Sequence, residues 1–441
     1  MLPPWLAIEE VSECARRLSV RRRPRLSGWR IRVKLAPDRT QIRICLQRRG
    51  QRENHHSRRL GIFYQPPFLE AFNNMVDSAP WSPQYQLLRV PFMNPYQGTP
   101  NPFPSQFAPF VPPSTVTFAN PLSLAVSYQP NWSPSEVMNW NLTVEHQLAK
   151  DILLRVGYVA SKGTHLSYNT DVNAPLPSPD ATADNEQDRR PYQQYEQITQ
   201  DASNGNSSYN SLQVEVDKRF SRGITLSANY TWGRSIDEVS YQTDLCGINV
   251  INPYDVRAYR GISDFNVPHR FVLNYLWQLP SPKQGVQKAI LGGWETSAIW
   301  TWQSGFPLNI TSGGDYSYSL PEVGNDQAQV VSTPQYTQGS LDQKLAQWFT
   351  TASFTTPASN SFGNAGRNIL IGPGTFNVDF SAHKVFTLTE RLRLQYRAEF
   401  FNFFNHPLLN NPDTTVSDST FGQITSARDP RIMQMALKLI F

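Results

Sequence analysis

From residue 140 to the end of the chain, apolar side chains recur at every second position in runs roughly ten residues long. Trp140, Leu142, Val144, His146 and Leu148 fall on one face of an extended segment, and Asn141, Thr143, Glu145 and Gln147 fall on the other. After Ala149-Lys150-Asp151 the apolar face resumes in Ile152, Leu154, Val156, Tyr158 and Ala160, which predicts a hairpin. The unit then repeats. Leu212, Val214 and Val216 lead through Ser221-Arg222-Gly223 into Ile224, Leu226, Ala228, Tyr230 and Trp232. Phe271, Leu273, Tyr275, Trp277 and Leu279 pair with a strand over 294–302, segment 376–386 pairs with 392–401, and a last strand covers 431–441.

Connections within these hairpins are short apart from 280–293, whereas 162–208, 234–268, 304–375 and 402–430 are long. Four such loops count against a compact soluble domain. They are expected of an outer-membrane barrel, whose turns are short on one side and whose loops are long on the other. A strand of roughly ten residues also suits a bilayer crossed at a tilt near 45°. The predicted fold class is therefore all-β, an antiparallel transmembrane β-barrel with nine or ten strands present. Trp140, Tyr158, Tyr230, Trp232, Trp277, Trp300, Trp302 and Phe400 lie towards strand ends and predict an aromatic girdle at headgroup depth. Glu145, Arg155, Glu215, Asp217, Arg393, Arg397 and Glu399 are expected on the lumen side. A soluble β-sandwich could bury the same aromatics, but it leaves the alternating connection lengths without a cause.

No run approaches the roughly 18 apolar residues of a membrane-spanning helix, and mean hydropathy is -0.45 although 12% of residues are aromatic. Alternating strands average out in this way. Charge is uneven: residues 1–60 hold 16 Lys and Arg against five acids, and the remainder holds 24 against 30. Residues 1–59 read as a basic, patternless segment, disordered or mistranslated. The alternatives are a basic tail and an arm for nucleic acid or lipid. No secretory signal is visible there. Residues 60–138, rich in Pro, Asn and aromatics, are expected to be mostly extended loop with one strand candidate at Leu122–Tyr128; residues 139–441 form the barrel.

At the carboxyl end Met433, Met435, Leu437, Leu439 and Phe441 share a face, and Gln434, Ala436, Lys438 and Ile440 share the other. A strand ending on an aromatic resembles the terminal signal that bacterial outer-membrane proteins present to their barrel-assembly machinery. As an ordinary edge strand it would leave an apolar edge open to aggregation.

Four segments carry a wider likeness: 297–310 (SAIWTWQSGFPLNI), 362–386 (FGNAGRNILIGPGTFNVDFSAHKVF), 390–407 (ERLRLQYRAEFFNFFNHP) and 421–441 (FGQITSARDPRIMQMALKLIF). Together they resemble the carboxy-terminal barrel of TonB-dependent outer-membrane receptors, most nearly the Oar-like group of Acidobacteria with its carboxypeptidase-regulatory-like amino-terminal domain. The resemblance implies about 22 strands around a plug. It also implies active uptake of a large or scarce solute such as a siderophore, a glycan or a peptide. Plug, TonB box and export signal are not seen, so the chain is expected to be the later part of a barrel, coupled to a TonB-type partner only through the missing plug. With the carboxyl end in the periplasm, strand 140–148 runs inward and an outward strand must precede it; Leu122–Tyr128 could supply it. A structural or adhesive barrel and a secreted carbohydrate-binding domain are the rival readings.

Histidines 55, 56, 146, 165, 269, 383 and 406 show no zinc spacing, and Cys246 stands alone beyond Cys14 and Cys45. No nucleophile elbow, Walker loop or dinucleotide fingerprint occurs. The acid-rich loop 180–188 matches no calcium-loop pattern. Gly363, Gly366, Gly372 and Gly374 are expected at positive φ, and Asn402, Asn405 and His406 are expected to cap a strand. The sequence thus predicts no catalytic, cofactor or metal site. Its expected partners are outer-membrane lipid and the assembly machinery, and nucleic acid is not among them.

Overall fold

A computed structural model describes residues 29–35, 41–48, 54–66, 93–94, 122–240, 250, 252–282, 284–319 and 325–441. The first strands are β1 (Trp29–Leu35), β2 (Gln41–Arg48), β3 (Asn54–Gln65), β4 (Leu122–Tyr128), β5 (Ser135–Ala149), β6 (Ile152–Asp171) and β7 (Tyr195–Ser221). Then come β8 (Ile224–Asp237), β9 (Gly261–Ile262), β10 (His269–Gln278), β11 (Trp294–Gln303), β12 (Pro307–Leu308) and β13 (Gln329–Val330). The chain closes with β14 (Phe354–Thr355), β15 (Leu370–Ile371), β16 (Thr375–Thr387), β17 (Arg393–Phe401) and β18 (Ile432–Ile440).

One sheet dominates, in the order β1-β2-β3-β5-β6-β7-β8-β10-β11-β16-β17-β18. Every neighbour along this path is antiparallel and follows in chain order, the up-and-down connectivity of a barrel wall. Among the described residues the sheet is open, with β1 and β18 each paired on one side. The β7–β8 turn shows how tightly the wall is wound. Arg222 and Gly223 both have positive φ, 51° and 81°, as a two-residue primed turn requires.

All nine strands read from the alternation are present, and the structure adds to them. β1, β2 and the start of β3 lie inside the basic segment expected to be patternless. That segment does alternate: Ile31, Val33 and Leu35 are spaced by Arg32 and Lys34, and the register sets them opposite Leu46, Ile44 and Ile42. High arginine content concealed the period. The outward strand before β5 is β3, paired along its whole length from Asn54↔His146 to Gln65↔Ser135. Leu122–Tyr128 is a strand but not that one; β4 lies parallel to β7, beside Tyr195–Asp201. The rest of the Pro-rich region, 67–92 and 95–121, lies outside the described residues, as do Cys14 and Cys246.

Two strands far exceed ten residues. β6 has 20 and β7 has 27, so both continue past the wall at the end that carries the long loops. Much of the segment expected as loop 162–208 is therefore sheet. The glycine expectation holds only at Gly363 (φ 75°). Gly372 is instead a point of close approach, where a Cβ would collide with Asn411.

Candidate functional site at the loop end of the wall

Register decides which side chains share a face. Leu142, Tyr158, Leu212 and Trp232 stand opposite one another across β5 to β8, and Val144, Val156, Val214, Tyr230 and Phe271 form the adjoining row. That second row continues through Trp302 and Phe376. Among the described residues no second sheet covers this face: Leu142 is 38% exposed, Trp232 57% and Met435 68%. Apolar stripes are left bare, where a sandwich would press them together.

The alternate positions are ionic. Arg155 Nε donates to Glu145 Oε1 at 2.9 Å, Arg155 Nη1 pairs with Glu215, and Asp217 lies 3.8 Å away. Further round, Gln278 donates to Glu295 at 3.2 Å, Glu295 faces His383 at 3.1 Å, and Arg397 meets Glu399 at 3.4 Å. Charge turned towards lipid costs about 2–4 kcal/mol per basic group at mid-depth, so this face belongs to the lumen.

Among the residues expected in a girdle, Trp140, Tyr158, Tyr230, Trp232 and Trp302 lie towards the loop end of the wall, and Phe400 is next to the last residue of β17. Trp277 lies at the turn end, opposite Ile224. Trp300 is deeper and packs edge-on against Phe404, ring centres 5.8 Å apart. The alternation did not single out Trp294 and Tyr396, which pack edge-on at the turn end 6.2 Å apart beside Lys384. On the terminal strand, Met433, Met435, Leu437 and Leu439 face outward opposite Phe400, Ala398, Tyr396 and Leu394, and Phe441 is 96% exposed.

At the loop end the connections fold into a cap with its own core. Leu308, Ile310, Ala328, Phe349, Phe354, Ala365 and Leu370 are buried together, with Trp348, Val416 and Phe421 packed against them. Phe349, Phe354 and Phe421 meet edge to face with centres 5.4 to 6.1 Å apart. The small sheets β12–β15 and β13–β14 belong to this cap. Buried ion pairs pin it down. Arg367 pairs with Asp237, donates to the Glu238 carbonyl at 2.8 Å and lies over the Tyr259 ring. Burial pushes the Tyr259 hydroxyl up to about 12, against the lowering effect of Arg367. Arg190 pairs with Asp171 at 3.0 Å and closes the β6–β7 loop. Asn402 accepts from His406 N at 3.0 Å and donates to its carbonyl at 2.9 Å, the capping role expected of it.

Between the β6–β7 overhang and the loop after β8 lies a cleft of about 630 Å³. Tyr168, Asn204, Asn206, Glu238, Tyr254 and Arg257 are among its lining residues. Glu238 is buried, accepts from Asn206 N at 2.7 Å and faces Arg260 at 3.5 Å. The Tyr254 hydroxyl donates to the carbonyls of Ala174 and Pro175, both at 2.8 Å, and burial together with the Asp171 charge lifts it to about 12. The volume falls in the range of small-molecule sites, and the polar lining suits a hydrated solute. Sequence reasoning missed the cleft, since its residues come from three separated segments without shared spacing. Among the described residues no three His, Cys, Asp or Glu side chains converge on one point.

The family model for the outer membrane beta barrel domain matches residues 60–434. The chain belongs to this family. This outer-membrane barrel domain is accordingly a protein of the bacterial outer membrane. No curated protein sequence matches it. Among solved structures it is similar to the outer membrane transporter YddB from Escherichia coli, with 10% identity, TM-score 0.49, and coverage of 91% of this chain and 40% of that one. The ferric-catecholate import receptor Fiu from E. coli K12 has 9% identity, TM-score 0.40, and coverage of 91% and 34%. The ferric yersiniabactin uptake receptor FyuA from Yersinia pestis has 10% identity, TM-score 0.38, and coverage of 91% and 37%. The chain thus spans about 40% or less of the length of these proteins. Family membership rests on the sequence match.

Proposed function

We propose that this outer-membrane barrel domain is the carboxy-terminal part of a TonB-dependent, Oar-like receptor that takes up a large or scarce solute. The observation that carries the reading is the pairing of a lipid-facing wall with an ordered outer cap beside a polar cleft of about 630 Å³. A barrel that only sealed the membrane would need neither. The wall supplies the hydrated passage, the cap and cleft capture the solute, and energy reaches the passage through the plug of the whole receptor. No residue is assigned a catalytic role. The terminal strand is the element offered to the barrel-assembly machinery.

The test is expression of the chain with an export signal, alone and joined to a receptor plug, in a host lacking its own uptake systems. Fractionation should place both forms in the outer membrane. Growth on a ferric siderophore, an oligosaccharide or a peptide should depend on the plug-bearing form and on an energised TonB system. Solute bound at the surface by both forms without plug-dependent entry would favour an adhesive barrel, and recovery in the soluble fraction without detergent would overturn the reading.

A further inference from the structure

We propose that the outer surface of β8 binds a phosphorylated lipid of the outer leaflet, with Arg234 holding the phosphate and a neighbouring groove holding acyl chain. The inference rests on the outer-membrane placement and does not depend on transport. Along β8 the positions alternate: Gly233, Ser235 and Asp237 are buried under the cap, while Trp232 and Arg234 are exposed on the lipid side. Arg234 lies two residues beyond Trp232 towards the loops, about 7 Å at a rise of ~3.4 Å per residue. A tryptophan at the interface sets headgroup depth, so the guanidinium stands where lipid phosphates lie.

The acids nearest in sequence do not compete for it. Asp237 and Glu238 are turned inward and engaged by Arg367 and Arg260. Across the strand pair Arg234 stands opposite Asn210, an amide that already accepts from the Tyr158 hydroxyl at 2.5 Å. Among the described residues no side chain engages the Arg234 guanidinium, whose planar fork of donors matches a phosphate's oxygens.

Arg234 itself lines a groove of about 260 Å³ whose other lining is mostly apolar, including Trp232, Ile262, Pro268, Ile369 and Ile371, with Asn266 and Asn368 as its amides. Ile369 and Ile371 are 41% and 39% exposed although they belong to the cap, beyond the wall itself. Apolar side chains at that height gain cover from acyl chain drawn up along the protein, not from water. Charge and grease side by side select an anionic lipid over a zwitterionic one.

The test folds the full chain into nanodiscs of phosphatidylcholine with and without phosphatidylglycerol and counts retained lipids by native mass spectrometry. Phosphatidylglycerol should be retained preferentially. Arg234→Ala should cut that preference about fivefold, the effect of one basic group at a lipid surface. Arg234→Lys should restore part of it, Ile369→Asn should weaken retention, and Arg428→Ala, on another loop, should leave it unchanged. Heat-modifiable migration establishes that each variant is folded, and Arg234→Gln replaces any that is not. Equal retention of the two lipids, or full retention by Arg234→Ala, overturns the proposal. So does displacement of the lipid by inorganic phosphate with Ile369→Asn inert, which marks a simple anion site. A wild-type chain that never enters the bilayer refutes the membrane placement instead.

Discussion

Arg367 and Asp237 form an ion pair across 130 positions of sequence, with side chains 2% and 4% exposed. Asp237 ends β8, and Arg367 belongs to the Phe362–Asn368 stretch that leads into β15, so the pair ties the cap to the wall. Arg367→Ala leaves Asp237 buried without a counter-charge, at an expected cost of about 3–5 kcal/mol. The loss should be local. Hydrogen exchange should rise over 304–319, 325–374 and 252–266 while the strands of the wall keep their protection, and Asp237→Asn added to Arg367→Met should recover part of it.

Leu226 stands opposite Tyr275 on the lipid face, and Ser227 stands opposite Asn274 on the lumen face. Leu226→Arg should cost about 2–4 kcal/mol at mid-depth, and Ser227→Arg much less. Yields of folded barrel in lipid vesicles measure the difference; equal yields would reverse the assignment of faces.

Phe349 is fully buried at the centre of the cap. Phe349→Ala should cost about 3–5 kcal/mol by transfer and cavity terms. Limited proteolysis should then cut the cap, leaving a wall that still shifts its mobility on heating.

Asp326 is fully buried in the cap, and burial, reinforced by the charge of Asp315, lifts its carboxyl from 3.8 to about 6. The folded state thus holds its proton more tightly than the unfolded one. This contribution to stability is complete below pH ~4, falls as pH rises through about 6 and is absent above, a span of about 3 kcal/mol at 1.36 kcal/mol per unit. Acidification from pH 7 to 4.5 should raise cap protection in the wild type, and Asp326→Asn should remove that slope. Hydrogen exchange of 312–319 across the range reads it.

Phe441 follows the last residue of β18 and is almost fully exposed. If the assembly machinery reads that ring, Phe441→Ala should lower insertion in cells while refolding into pure lipid vesicles stays near wild type. A parallel loss in both would make the role one of packing.

The wall was legible because lipid on one side and water on the other force a period of two on every strand that crosses. Where that force stops, the signal stops. The β6 and β7 extensions, 162–171 and 195–207, lie beyond the membrane and carry no apolar alternation; they are strands because each pairs with the other. β1 and β2 do alternate, but against Arg30, Arg32 and Lys34 in β1 and Gln41, Arg43 and Gln47 in β2, and their basic composition hides the spacing. The cap is harder still. Its core gathers Leu308, Phe349 and Leu370 at irregular intervals, and Arg367 sits in a stretch noticed for its glycines.

A cap with a core of its own changes what selection can do at the cell surface. Whatever meets the loop end meets the connections first, whereas insertion of the barrel depends on the wall. Since Phe349 and its neighbours hold the outer connections together without using the lipid-facing stripes, the exposed tips are free to diversify while membrane insertion stays intact.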